Sequence, residues 1–198
     1  MDLVSPSSPS ARWAVLKFGG TSVATAARWR TIAELAAKRV GAGLRPVIVV
    51  SAVSGLTNQL QALIDRALDA EALASETAAI RERHLQLIEE LGIDAPATTL
   101  QWLDRLATLA QQAPTRRGEF RWQAELLSMG ELISSSLGAA FLTSTGLRCG
   151  WLDSRQWLKV EPRPNQSEWS RWLSVSCATR SEPARVAELA QTADCFVA

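Results

Sequence analysis

Histidine is nearly absent: His84 stands alone in 198 residues, with no serine, cysteine or second histidine at useful spacing. That leaves no nucleophilic triad and no histidine-based metal cluster to build on. Inside the charged run RERHLQLIEE, His84 is expected on the surface of a helix. Cysteine is scarce too. Cys149, Cys177 and Cys195 are odd in number, widely spaced and form no CxxC pair, which argues against a disulfide framework and a zinc knuckle; they are expected as small buried residues. Charge of one sign is missing, with 21 Lys+Arg against 20 Asp+Glu, so there is no broad basic face for a nucleic-acid backbone. No apolar run approaches the ~20 residues of a membrane span, and MDLVSPSSPSARW lacks the apolar core of a signal peptide. Residues 1–13 therefore read as a flexible leader on a cytoplasmic protein whose partners are small molecules or copies of itself, with no nucleic acid and no membrane.

What is present is enough apolar residue, 47%, to bury a sizeable core. WAVLKF and RPVIVVS are short apolar runs, rich in Val and Ile and bounded by Gly, Pro or Ser, the pattern of strands buried on both faces in a parallel sheet. Between them, Ile32, Leu35, Ala36 and Val40 recur at helical spacing and GAG stops the segment, giving a βαβ unit. Ser54 is placed to cap a second helix carrying Leu56, Leu60, Leu63 and Ile64. Helical patterns over 71–91 and 99–112, and a long one ending at Gly146, form a helical insertion. RCGWLDS reads as a third strand with an acidic exit, and VAELAQTADCFVA as a helix leading into a strand. VEPRPNQSEWSRWLSVSC carries turn signals and then a possible edge strand. The eight tryptophans are scattered and suit core or interface packing.

The chemistry-bearing residues cluster at strand ends. In KFGGTSV, the pair Gly19-Gly20 after the first strand lets the backbone approach an anion closely, and the helix that follows adds a positive dipole end. Lys17 stands beside this turn, with Thr21 and Ser22 as hydroxyl donors. By spacing alone, a tight turn with a surface lysine is the favoured reading, since glycine pairs are common and neither GxxxxGK[ST] nor GxGxxG occurs. VVSAVSGLTN repeats the arrangement at the second strand with Ser51, Ala52, Ser54, Gly55 and Thr57, so two such turns should face each other. In SMGELISSS, Ser128, Glu131 and Ser135 form a polar line on an otherwise apolar helix.

Taken in order, KFGGTSV, VVSAVSGLTN, SMGELISS and WLDSRQWL resemble the catalytic domain of the aspartate kinases, within the amino acid kinase family, from about Ala14 to Ala198. The resemblance implies an α/β fold, a three-layer αβα sandwich with a mainly parallel sheet and a helical insertion. It implies transfer of the ATP γ-phosphoryl to the side-chain carboxylate of L-aspartate, the first step toward lysine, threonine and methionine. ATP would arrive with its Mg2+. By the same similarity Lys17, Gly19, Gly20, Thr21 and Ser22 meet the phosphates, with Lys17 catalytic; Ser51, Thr57 and Glu131 meet aspartate, Thr57 toward a carboxylate and Glu131 toward the α-amino group. A carboxylate of pKa ~3.9 is already ionised at neutral pH, so such an enzyme needs no histidine base.

The family's GRGGSD-type motif, which supplies a substrate arginine and much of the adenine site, and its ACT regulatory domains are not in these 198 residues. Residues 14–198 are thus expected to form the N-terminal portion of the catalytic domain, truncated on its C-terminal side. The complete enzyme is expected to be a homo-oligomer and open to fusion with another biosynthetic domain. Another amino acid kinase, or a non-catalytic amino-acid-binding module, is the competing reading.

Overall fold

The computed structural model describes residues 12–66, 68–161, 163–178 and 182–198. Strands β1 (Arg12–Phe18) and β2 (Leu44–Val50) pair in parallel along their full length, from Arg12↔Leu44 to Phe18↔Val50. Arg12 and Trp13, expected in the leader, already belong to β1. Trp13 has an apolar partner, the ring of Phe196 at 6.0 Å, which lies at the far end of the chain and is invisible from local composition. The rest of the leader lies outside the described residues. Two short strands, β3 (Cys149–Trp151) and β4 (Cys195–Val197), complete an all-parallel sheet in the order β1-β2-β4-β3.

Helix α1 (Ala26–Gly41) makes the crossover from β1 to β2. Thr25 caps it, its hydroxyl accepting from the Arg28 N–H at 3.4 Å, and Trp29, Ile32, Ala33 and Ala36 form its buried stripe. These residues share one core with Ile48 and Val50 of β2, Cys195 and Val197 of β4, and Leu137, Phe141 and Leu142 of helix α6 (Phe120–Ser144). Trp29 lies so close against α6 that a Cβ on Gly138 would stand 2.2 Å from its ring. By length and composition α6 could span a membrane, contrary to the expectation that no segment would. However, 72% of its most apolar stretch is buried inside the fold, and it is the central core helix.

The first half of α6 belongs to a second core, built with the helical insertion: α2 (Leu56–Asp65), α3 (Ala70–Leu91), α4 (Ala97–Gln111) and the single turn α5 (Ala113–Arg116). Here His84 departs from expectation. It is buried, 1% exposed, because it falls on the α3 stripe Leu73, Thr77, Ile80, His84, Leu87 and Leu91 while its charged sequence neighbours turn outward. Its Nδ1 lies 2.7 Å from the Ile80 carbonyl oxygen, and Nε2 has no partner among the described residues. Burial holds the His84 imidazole below its ordinary 6.5, assisted by the Arg83 charge and only partly opposed by the Ile80 hydrogen bond.

The unfolded chain therefore binds this proton more readily than the folded one. Stability is fully present above about pH 6.5 and falls as pH drops through the folded-state value. Denaturant unfolding at pH 7.5 and 5.5 should show a lower free energy at pH 5.5, and His84→Leu should reduce that difference. An unchanged pH dependence in His84→Leu would place the acid sensitivity elsewhere.

The segment after β3 is mostly short structure. Helix α7 (Ser154–Trp157) is capped by Asp153, and α8 (Glu168–Leu173) by Ser167. The expected edge strand reduces to a single antiparallel bridge, Val160↔Cys177. Cys177 is exposed, unlike the buried Cys195 and half-buried Cys149, and Trp169 is also largely exposed. Helix α9 (Pro183–Thr192) then leads into β4.

Candidate active site

The strand ends bring two turns together. After β1, Gly19 is extended and precedes a 3-10 turn, Gly20–Val23, closed by Ser22 N–H to the Gly19 carbonyl at 2.8 Å. After β2, the chain runs through Ser51 to Ser54, and α2 then starts at Leu56. The expected Ser54 cap is not formed. Gly55 occupies the cap position at φ 84°, a left-handed conformation that glycine adopts without a steric penalty, and Ser54 lies one residue outside.

The turns face each other at bonding distance. Ser51 N–H donates to the Phe18 carbonyl at 3.1 Å, extending the ladder, and Ser54 N–H donates to the Gly20 carbonyl at 3.1 Å. A Cβ on Gly20 would stand 2.5 Å from the Ala52 carbonyl oxygen, so only glycine permits this approach. Gly20→Ala should therefore spread the turns and cost about 1–3 kcal/mol, lowering the thermal midpoint by roughly 2–4 °C per kcal/mol. A midpoint unchanged from wild type would show the turns to be loosely joined.

Lys17 is exposed at the end of β1, its ammonium 3.8 Å from where a Cβ on Gly19 would lie. It thus stands over the glycine turn, with the half-buried Ser22 and exposed Thr21 following. Glu131, half-buried on α6, reaches the second turn: its Oε1 accepts from the Ala52 N–H at 3.2 Å. The close approach comes from Gly130, where a Cβ would stand 2.6 Å from that of Ala52 and 3.5 Å from Leu56 and Leu60. Thr57 is exposed in the first turn of α2, one residue beyond this contact.

The rest of the expected polar line does not join Glu131. The Ser128 hydroxyl donates to the Glu125 carbonyl at 2.8 Å, and Ser135 is buried, accepting from the Trp151 indole N–H at 2.9 Å. The WLDS segment is likewise structural in its contacts. Asp153 is bound through both oxygens by the Arg155 guanidinium at 2.9 and 2.7 Å, which holds its carboxyl below the usual carboxylate range. An ammonium over one glycine turn and a carboxylate bonded to the neighbouring turn are groups that can pair with an anion and with a cationic group respectively.

Residues 12–193 match the amino acid kinase family. The chain belongs to that family. Among curated proteins, it is 32% identical over 145 residues to aspartokinase 1 of Arabidopsis thaliana and 31% identical over 155 residues to the aspartokinase of Chlamydia muridarum, covering 71% and 75% of this chain. It spans only 25% and 33% of the length of those two relatives. Among solved structures, E. coli aspartokinase III in complex with aspartate and ADP overlays with a TM-score of 0.70 at 23% identity, over 94% of this chain and 40% of that one. The fold is accordingly that of an amino acid kinase.

Within this amino acid kinase fold, the sequence marked Gly19 and Gly20 but left Gly130 unnoticed, although a lone glycine inside an apolar helix signals a close packing partner. Two arginines were also missed. The Arg28 guanidinium donates to the Thr21 carbonyl from the first turn of α1, and Arg83 Nη2 of α3 donates to the Ser54 carbonyl at 2.9 Å. The Arg83 partner lies 29 residues away, beyond the reach of any local pattern.

Proposed function

We propose that this chain forms the N-terminal portion of the catalytic domain of an aspartate kinase, which transfers the γ-phosphoryl of ATP to the side-chain carboxylate of L-aspartate to give 4-phospho-L-aspartate. The observation that carries this reading is the joining of the Gly20 and Ala52 turns, with Lys17 over the first and Glu131 bonded to the second. The similarity to aspartokinases over most of the chain supports it.

In this reading Gly19, Gly20, Thr21 and Ser22 receive the ATP phosphates, and Lys17 acts on charge developing at the transferring group. Ser51 and Thr57 bind aspartate carboxylate oxygens. Glu131 binds the α-ammonium with the carboxylate oxygen that Ala52 leaves free. The nucleophilic carboxylate is ionised at neutral pH, so the site's task is to align two anions and offset their repulsion. Among the described residues no group of three or more His, Cys, Asp or Glu gathers, so Mg2+ would be held chiefly by phosphate oxygens.

Further chain in the complete enzyme supplies the rest of the nucleotide side. Cytoplasmic location, self-association and a place at the head of lysine, threonine and methionine synthesis follow from the same reading. Fusion to another enzyme would follow the bifunctional aspartokinase/homoserine dehydrogenase of Arabidopsis thaliana, 30% identical over 162 residues.

The test is ADP release. The complete enzyme should release ADP only when both ATP and L-aspartate are present, and this chain alone should not reach about 1 s⁻¹, the lower end of ordinary turnover. Release that is independent of aspartate would refute the assignment.

A further inference from the structure

Both turns of the site are gripped from outside by an arginine. The first turn has two of its carbonyls held by α1: Thr21 accepts from the Arg28 guanidinium, and Val23 accepts from the Trp29 indole N–H at 3.1 Å. The second turn has no side-chain cap of its own, and its outward carbonyl, Ser54, accepts from Arg83 of α3 at 2.9 Å. Its neighbour on α3, His84, is buried, while Arg83 itself is exposed. Among the described residues neither arginine forms an ion pair with a carboxylate. Each donates one N–H to its turn and so places a positive charge beside that turn.

We infer that Arg28 and Arg83 are positioning residues, one for each substrate: Arg28 sets the turn that receives ATP, and Arg83 sets the turn that receives aspartate. The inference rests on the assignment of the two turns made above. Both side chains are exposed, so their removal disturbs no core and should leave global stability nearly unchanged. The backbone N–H groups and hydroxyls of the turns, however, must meet their ligands within a few tenths of an ångström, and small misplacements at such a site are costly. The loss should thus appear in substrate parameters, separately for each arginine.

In the complete enzyme, Arg28→Ala should raise KM for ATP about fivefold, roughly what one lost hydrogen bond to a carbonyl is worth, with KM for aspartate within about twofold. Arg83→Ala should do the reverse. Melting midpoints should stay within about 2 °C of wild type. Arg28→Lys and Arg83→Lys should recover much of each loss, because an ammonium can donate to the same carbonyl. Unchanged KM values, or equal rises for both substrates together with a lowered midpoint, would overturn the inference.

If the wild-type enzyme shows no aspartate-dependent turnover, the functional reading fails, and amide exchange in this chain decides the clamps by themselves. Faster exchange confined to the Gly20–Val23 turn in Arg28→Ala, and to Ser54–Leu56 in Arg83→Ala, supports them; unchanged exchange overturns them.

Discussion

Lys17→Ala in the complete enzyme should lower kcat by about 10²–10³-fold, the loss typical of removing one preorganised donor from a site of developing charge, while KM for aspartate changes by less than about threefold. The geometry behind this is specific. Lys17 pairs with Val49 one residue before the end of the β1 ladder and holds its ammonium over Gly19, where the glycine pair exposes backbone rather than side chain. A charge placed on the transferring group stabilises the transition state more than either bound substrate, and such a group is read in kcat. Lys17→Arg should recover little, because its planar fork is larger and presents its donors differently from a compact ammonium. Steady-state kinetics at saturating ATP settles the matter. An unaltered kcat in Lys17→Ala would return this residue to the role of a surface lysine beside a tight turn.

The second large effect falls on the other substrate. Glu131→Ala should raise KM for aspartate at least tenfold, a step of about 1.4 kcal/mol, and leave KM for ATP nearly unchanged. A truncated partner leaves the substrate ammonium poorly paired, which typically costs about 2–5 kcal/mol. Glu131 also accepts the Ala52 N–H, so the substitution removes a tie between α6 and the second turn. Glu131→Gln separates these contributions. It keeps an acceptor for Ala52 and loses the charge, so its KM should fall between wild type and Glu131→Ala. If Glu131→Gln binds aspartate like wild type, the carboxylate serves only to hold the turn, and the amino-group assignment is lost.

How far the sequence could lead is visible in particular residues. The stripe on α1 and the Val/Ile run of β2 announce themselves because burial repeats at a fixed local period, whereas β1, expected to be buried on both faces, is an edge strand with Val15 exposed. Gly20 was legible as a turn residue, but its reason, the Ala52 carbonyl 2.5 Å from a would-be Cβ, depends on the turn that follows the next strand. Thr57 and Glu131 stood out in their motifs, but their roles entered through resemblance, and the contact of Glu131 with the Ala52 N–H spans 79 positions.

His84 misled because its neighbours are charged, although its four- and three-residue spacing from Ile80 and Leu87 marks the buried face of α3. Ser54 was preferred as a cap on propensity, whereas the left-handed turn that joins the two loops needs a glycine, and Gly55 takes the position. The stretch 158–178 gave weak signals, and its described residues form little regular structure: one short helix and one bridge pair. Arg28 and Arg83 were unreadable for a different reason. Each bonds a backbone carbonyl, and a carbonyl leaves no trace in the sequence of what will reach it.

The central claim is that these two joined turns bind ATP and L-aspartate for phosphoryl transfer to a carboxylate. An acyl phosphate reacts with hydroxylamine, so the most direct measurement is hydroxamate formation by the complete enzyme from ATP and L-aspartate, with L-glutamate in parallel. The account expects aspartyl hydroxamate, dependent on ATP and abolished in the joint Lys17→Ala and Glu131→Ala variant, with at most a trace from glutamate. No hydroxamate from aspartate, or an equal yield from glutamate, would contradict it.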